Sequence, residues 1–103
     1  MTGAVVADQL GGSVLVVESA PVYGGTTAYS GGVAWIPGNH LQSSVGIDDS
    51  IDQGYQYMRS LIGDTVKEQR VRAYAERADE MLRFMMQHSH VSYRPIPTYM
   101  DYF

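Results

Sequence analysis

The sequence of 103 residues contains no cysteine. A chain without cysteine forms no disulfide, carries no catalytic thiolate and offers no cysteine-ligated zinc site. Its three histidines, His40, His88 and His90, have no second ligand at the sequence spacing of a metal site. The sequence therefore predicts chemistry that uses neither a thiol nor a protein-bound metal.

Long apolar runs and an excess of positive charge are also missing. No run approaches the roughly 18 residues of a membrane-spanning helix, and no signal-peptide pattern opens the chain. The net charge is -4, whereas a nucleic-acid-binding surface is basic. With 45% hydrophobic and 17% charged residues, the composition is that of one small globular domain. We expect a cytoplasmic protein with no membrane span and no nucleic-acid partner.

Glycine, by contrast, is concentrated in residues 23–32, YGGTTAYSGG. Glycine lets the backbone adopt positive φ and come close to a ligand, because no Cβ stands in the way. The hydroxyl residues Thr26, Thr27 and Ser30 lie among these glycines. A loop of this kind can direct several backbone N–H groups at one anion. The segment is therefore a candidate phosphate-binding loop, and a merely flexible turn is the plainer alternative.

An apolar run, VLVV at residues 14–17, ends in Glu18 shortly before this loop. Such an unbroken, mostly β-branched run is typical of a strand that is buried on both faces of a parallel sheet. In dinucleotide-binding folds an acid at the end of such a strand binds the ribose hydroxyls. Residues 2–10 have helical spacing, and Gly11 and Gly12 are expected to end that helix. Helix, tight turn and strand form the second half of a βαβ unit.

The order of strand, acid and G-G-T-T-A-Y-S-G-G, followed by Trp35 and Pro37, resembles the FAD-containing fumarate reductase/succinate dehydrogenase flavoprotein superfamily. Within that superfamily, the residue order of this segment is most similar to that of the 3-ketosteroid Δ1-dehydrogenases. The resemblance implies an α/β, Rossmann-like FAD-binding fold in which Glu18 binds the adenosine ribose. It also implies non-covalent FAD, because Gly25 stands where some relatives carry a flavin-linking histidine. By the same resemblance the FAD-binding residues of the loop are Gly25, Thr26, Thr27, Ala28, Ser30, Gly31 and Gly32.

Compared with that superfamily, the chain begins inside the first helix. The first strand and its G-x-G-x-x-G turn would lie upstream of Met1, and neither is in the sequence. We interpret the chain as an N-terminal fragment that is inactive alone, with a partial FAD-binding domain over 1–37. Residues 38–103 are then a mostly helical segment that ends in an active-site-like loop. Short strands are predicted over 33–36 and 91–94.

Two helices are predicted in that second part. The first begins at Asp48 or Asp49 and ends at Gly63. The second begins at Asp64, and residues 65–68 match a capping box. We assign both helices to packing. The apolar stripe of the second helix consists of Val71, Tyr74, Ala75, Ala78, Leu82 and Met85.

The last residues, Asp101-Tyr102-Phe103, match the segment that carries an active-site tyrosine in the resembling dehydrogenases. There the tyrosine assists a second tyrosine, which removes the C2 proton of a 3-oxosteroid while flavin N5 accepts the C1 hydride. A phenol has a pKa near 10 and is a weak base unless its phenolate is stabilised, so paired tyrosines suit this task. The resemblance thus implies Tyr102 as a catalytic residue of a dehydrogenase that introduces a C1–C2 double bond. It leaves the electron acceptor open.

Two alternatives remain at this point. One is a fumarate-reductase-like flavoenzyme for a small dicarboxylate, whose site would be built around arginines. The aromatic residues 99–103 favour a bulky apolar substrate, such as a steroid, over that alternative. The other is a truncated or interaction module without catalysis, in which Tyr102 and Trp35 are packing residues.

Overall fold

The computed structural model describes residues 1–99, and the chain divides into two compact units, residues 1–35 and the residues from Ile36 onwards. The described part contains helices and connecting segments and no strand. Its elements, in chain order, are α1 (Thr2–Gln9), α2 (Gly25–Tyr29), a 3-10 helix (Gln42–Val45), α3 (Ile51–Ile62) and α4 (Glu68–His88).

Helix α1 ends as the sequence predicts. Gly11 has a φ of 81°, which a residue with a side chain rarely adopts. The N–H of Gly11 donates to the carbonyl of Asp8 at 2.9 Å, and the N–H of Gly12 donates to that of Ala7 at 2.8 Å. This pair of bonds is the Schellman motif, which satisfies the last carbonyls of a helix. The helix and its glycine stop are confirmed.

The predicted strands are not formed, and this is the main correction to the expected α/β fold. Residues 14–17 have no regular structure, and Leu15 and Val17 are 85% and 80% exposed. Residues 33–36 and 91–94 are irregular as well. A strand exists only when a neighbouring strand pairs its backbone N–H and C=O groups, and residues 1–99 supply no such neighbour. The β-branched side chains express a local preference that no pairing here fulfils.

Helix α3 ends at the predicted residue but begins later than predicted. Gly63 closes it with a φ of 53°. The N-cap is Ser50, whose hydroxyl accepts the N–H of Gln53 at 3.2 Å, and not Asp48 or Asp49. An aspartate was a reasonable expectation because serine and aspartate cap helices comparably.

The start of α4 also differs from the prediction. The helix begins at Glu68, and its N-cap, Lys67, makes no side-chain capping bond. The hydroxyl of Thr65 donates instead to the carbonyl of Ile62, which belongs to the end of α3. The expected capping box is therefore absent, because α3 engages the hydroxyl that would form it.

The apolar stripe of α4 forms most of the described core. Val71, Ala75, Ala78, Leu82 and Met85 are buried as predicted, while Tyr74 is 45% exposed. One cluster joins Ala78 and Leu82 to Ile36. The other joins Val71 and Ala75 to Tyr55 of α3. The second unit is therefore held together by one face of α4.

Tyr55 adds polar contacts to the α3–α4 packing. Its hydroxyl donates to Oε1 of Glu68 at 3.0 Å. The guanidinium carbon of Arg72 lies 4.1 Å from the centroid of its ring, which is the geometry of a cation–π interaction. Burial of the ring between these two groups fixes the position of α3 along α4.

The turn before α3 packs closely on that helix. Pro37 is fully buried, and a Cβ built on Gly54 would lie 2.2 Å from the Pro37 Cβ. Gly38 has a φ of 58°, and a Cβ there would lie 2.9 Å from the backbone nitrogen of Ile51. The backbone of this turn therefore approaches α3 so closely that neither glycine leaves room for a side chain.

A hydrogen-bonded pair, His40 and Asp79, connects the segment after this turn to α4. The Asp79 carboxylate accepts the backbone N–H of His40 at 3.0 Å, and its Oδ1 lies 2.5 Å from His40 Nδ1. The Nε of Arg83 donates to Asp79 Oδ2 at 2.7 Å. Burial alone would raise the pKa of Asp79, but the bonds from the His40 side chain and backbone and from Arg83 outweigh it and lower the pKa to about 2.

We expect this pair to make the stability of the second unit depend on acid. The ordinary value for Asp79 is 3.8, and its lowered pKa means that the charged form is favoured by folding. The contribution is complete above about pH 4 and disappears as the pH falls to about 2, with a size of roughly 1–2 kcal/mol. Urea unfolding of the wild type and of Asp79→Asn measures it: the gap between them should close over that pH range. Glu80→Gln, one residue along α4 in an exposed pair with Arg77, is the control and should show a small, constant gap.

Candidate functional site

The glycine-rich segment forms a short helix with left-handed glycines at its borders. Gly24, the N-cap of α2, has a φ of 116°, and Gly25 and Gly32 have φ values of 53° and 71°. These values favour glycine, so the expectation that the segment uses positive φ is confirmed. A Cβ on Gly24 would also lie 2.8 Å from the Cβ of Ala28. Gly24 is thus required for the shape of the segment, although it was not among the predicted cofactor-binding residues.

The backbone of the segment is bare at three predicted positions. A Cβ built on Gly25, Gly31 or Gly32 would meet no atom within 4 Å. Thr26 and Thr27 are exposed, and their hydroxyls have no hydrogen-bond partner within residues 1–99. Free hydroxyls beside uncovered backbone are suited to accepting a phosphate-bearing ligand from solvent, since such a ligand needs hydrogen-bond donors and close backbone approach.

Ser30 shapes the segment from within. Its hydroxyl donates to the carbonyl of Thr27 at 2.9 Å and accepts the N–H of Gly32 at 3.1 Å. These two bonds bring three of the predicted cofactor-binding residues together. The donor capacity of the Ser30 hydroxyl is therefore used inside the segment, and its remaining capacity is that of an acceptor.

Glu18 is exposed and carries a local hydrogen bond. Its Oε1 accepts the N–H of Ala20 at 2.9 Å and the hydroxyl of Ser19 at 3.4 Å. The pKa of Glu18 is lowered, chiefly because the backbone N–H of Ala20 and then that of Ser19 stabilise the carboxylate. Within residues 1–99 no hydrogen bond joins Glu18 to residues 24–32. The carboxylate stays ionised at neutral pH and keeps Oε2 as an acceptor for a hydroxyl. The ribose-binding role of Glu18 remains a prediction.

Two aromatic residues in and just after the glycine-rich segment are at least partly exposed. Tyr29 is 93% exposed and Trp35 is 46% exposed. Tyr102 lies outside the described residues, so its catalytic role stays a prediction.

Within residues 1–99 no three His, Asp or Glu side chains are placed to hold a metal ion. No helix of that part has both the length and the apolar character needed to cross a bilayer. The structure does bring His40 and Asp79 together, which the sequence did not indicate because 39 positions separate them.

Comparison with known proteins gives a consistent result. The model of a family described as "FAD binding domain" matches residues 1–100. The 3-oxosteroid 1-dehydrogenase of Mycolicibacterium smegmatis is 41% identical over 103 residues, which is all of this chain and 18% of that protein. The enzyme of the same name from Comamonas testosteroni is 37% identical over 97 residues, 94% of this chain and 17% of that protein.

A further relative is named for a smaller molecule. The 4-oxocyclohexanecarboxylate 2-dehydrogenase of Sinomonas cyclohexanicum is 35% identical over 102 residues, 99% of this chain and 18% of that protein. No solved structure is significantly similar.

The chain spans 18% of the length of the first of these curated relatives, and the likeness runs along its whole length. The resemblance to FAD-containing 3-ketosteroid dehydrogenases is confirmed, and so is FAD as the cofactor of the family. With its model matched over residues 1–100, the FAD-binding domain family is the family to which this chain belongs.

Proposed function

We propose that this chain is part of an FAD-dependent oxidoreductase that introduces a C1–C2 double bond into 3-oxosteroids. The observation that carries the proposal is 41% identity over the entire chain to a protein named 3-oxosteroid 1-dehydrogenase. The described glycine-rich segment supports it, since its positive φ values and bare backbone suit a dinucleotide.

The proposed cofactor-binding residues have separate tasks. Gly25, Gly31 and Gly32 let the FAD pyrophosphate or flavin approach the backbone, because no side chain covers it. Thr26 and Thr27 offer hydroxyl donors, and Ser30 holds the segment in its turn. Glu18 accepts hydrogen bonds from the ribose hydroxyls. Ala28 completes the first turn by packing against Gly24, and the cofactor is held without a covalent bond.

Bound FAD supplies the acceptor for the hydride that leaves C1 of the substrate. The proton leaves C2, and we assign Tyr102 to assist the tyrosine that takes it. We propose that the second tyrosine and the groups that polarise the C3 carbonyl are supplied by residues other than these 103. A phenolate is a stronger base than a phenol. A neighbouring hydroxyl that stabilises the phenolate raises the fraction of the tyrosine that is ionised and so lowers the barrier to proton removal.

A second candidate substrate is a monocyclic ketone acid. The relative named 4-oxocyclohexanecarboxylate 2-dehydrogenase matches 99% of this chain, which supports a shared reaction at the carbons beside a ring ketone. We favour the steroid because the relatives with the higher identities, 41% and 40%, are named for 3-oxosteroids.

The proposal is tested with the protein expressed from the complete coding sequence that contains this chain. That protein is purified and reconstituted with FAD. We expect dye-coupled dehydrogenation of a 3-oxosteroid with a kcat/KM at least about tenfold above that for 4-oxocyclohexanecarboxylate, since a site shaped for a steroid binds the single ring with fewer contacts. The reverse order would assign the monocyclic ketone instead. Flavin binding without turnover of either ketone, or with turnover of a dicarboxylate, would reject the dehydrogenase. The 103-residue chain alone is expected to show no turnover.

A further inference from the structure

Residues 38–42, here called the turn segment, are bonded to two carboxylates from elsewhere in the second unit. The Oδ2 of Asp49 accepts the N–H of Gly38 and a side-chain N–H of Gln42, both at 2.9 Å. At the middle of the segment, Asp79 of α4 accepts the backbone N–H of His40. Two carboxylates therefore take part in four of the hydrogen bonds that join it to the rest of the unit, and its other described bonds join it to Ile36, Ser44 and Ile47.

The bond to α4 is a compact cluster of three charged or titratable groups. The side chains of His40 and Asp79 are 24% and 26% exposed, so the pair is largely shielded from water. Arg83 donates to the other carboxylate oxygen. Among the described residues, Arg83 is thus the one charged group bonded to the pair, while Asp49 contacts the segment at its two ends.

The packing of α3 on α4 does not depend on the turn segment. The cluster of Tyr55, Val71 and Ala75 contains residues of the two helices alone. The cluster of Ile36, Ala78 and Leu82 includes Leu41 as its single, partly buried contribution from the turn segment. Regions with few buried apolar contacts open at lower cost than the core of the same protein. The geometry therefore separates the energy that holds the segment from the energy that holds the helices.

We propose that His40 and Asp79 form a clasp that keeps the turn segment on α4 and that opens locally, with α3 and α4 still packed, when Asp79 loses its charge. A neutral side chain accepts the His40 N–H more weakly than a carboxylate, and it no longer attracts Arg83 or the imidazole. The segment then keeps its bonds to Asp49 and to the neighbouring Ile36, Ser44 and Ile47 and the packing of Leu41, while the backbone N–H of His40 becomes exposed to solvent. The clasp consists of residues of the second unit alone.

The experiment is residue-resolved amide hydrogen exchange on the 103-residue chain at neutral pH. In Asp79→Asn we expect the amide of His40 to exchange roughly tenfold or more faster, because hydrogen bonds to charged groups are the stronger ones. The amides of Val71 and Ala75, which exchange through unfolding of the helices, should stay slower than that of His40 and keep the urea dependence of global unfolding, whereas exchange at His40 should depend little on urea. Glu80→Gln is the matched control, because it neutralises the adjacent carboxylate of the same helix, which belongs to an exposed pair with Arg77. It should leave both sets of rates unchanged.

A second variant keeps the proposal testable if Asp79→Asn does not fold. His40→Ala leaves the sequence of α4 intact and retains the backbone N–H, so it should speed exchange in residues 38–42 by a smaller factor, again with little dependence on urea. If His40 exchanged with the same rate and the same urea dependence as Val71 and Ala75, the pair would contribute to global stability alone and the clasp would be rejected. Unchanged exchange in the segment would reject it as well.

Discussion

Replacing Gly54 with alanine is expected to destabilise the second unit by about 3 kcal/mol, the upper part of the usual cost of overpacking. The new Cβ would lie 2.2 Å from the Cβ and 2.8 Å from the Cγ of Pro37, which is fully buried. Alanine in place of glycine inside a helix normally stabilises by about 1 kcal/mol. The steric effect is therefore large enough to reverse the sign of a substitution that helix propensity alone would favour. Chemical unfolding followed by circular dichroism measures the difference.

Two controls separate the clash from other effects. Gly3→Ala places the same change in helix α1, where a Cβ meets nothing within 4 Å, and it should be neutral or stabilising. Pro37→Gly removes both atoms that the new methyl would strike. In the double variant Gly54→Ala/Pro37→Gly, the cost of the alanine should therefore largely vanish, which a double-mutant cycle records as a coupling energy. A stabilising effect of Gly54→Ala in the wild-type background would show that the turn moves away from α3 at little cost.

Local sequence pattern predicts some features of this fold and not others. The end of α1 at Gly11 and the buried stripe of α4 follow from spacing and from one glycine, and both are confirmed. The contact of Pro37 with Gly54 and that of His40 with Asp79 depend on how distant segments meet. No periodicity in the sequence encodes such contacts, so they become visible only in the structure.

The strands fail for a related reason. A β-branched run such as residues 14–17 is a local preference, whereas a strand requires pairing with a second segment. The described residues contain no partner, and the run lies exposed. Part of the candidate site is easier to predict, because positive φ at Gly25 and Gly32 is a property of single residues. The hydrogen bonds of Ser30 within the segment depend on the path of the turn, which the residue order alone does not give.

Replacing Gly24 with alanine is expected to weaken FAD binding by roughly tenfold to a hundredfold in the complete, reconstituted protein. A residue with a side chain is strained in the left-handed region by about 1–2 kcal/mol, and each 1.4 kcal/mol is tenfold in affinity. Gly24 has a φ of 116°, and its new Cβ would also lie 2.8 Å from the Cβ of Ala28. The turn must therefore change, and it carries the N–H groups and hydroxyls of Gly25, Thr26 and Thr27. Titration of the apoprotein with FAD, followed by flavin fluorescence, gives the dissociation constant.

Two control variants separate backbone strain at Gly24 from the contact of its new Cβ with Ala28. Gly3→Ala, with open space around it, should leave the FAD dissociation constant unchanged. The double variant Gly24→Ala/Ala28→Gly removes the contact between the two methyl groups but keeps alanine at a φ of 116°. Partial recovery of affinity would apportion the loss between clash and backbone strain, whereas wild-type affinity in Gly24→Ala itself would separate FAD binding from the shape of this segment. In that case the bare backbone at Gly25, Gly31 and Gly32 would not be the surface that binds the cofactor, and the site would have to be sought in other residues of the family fold.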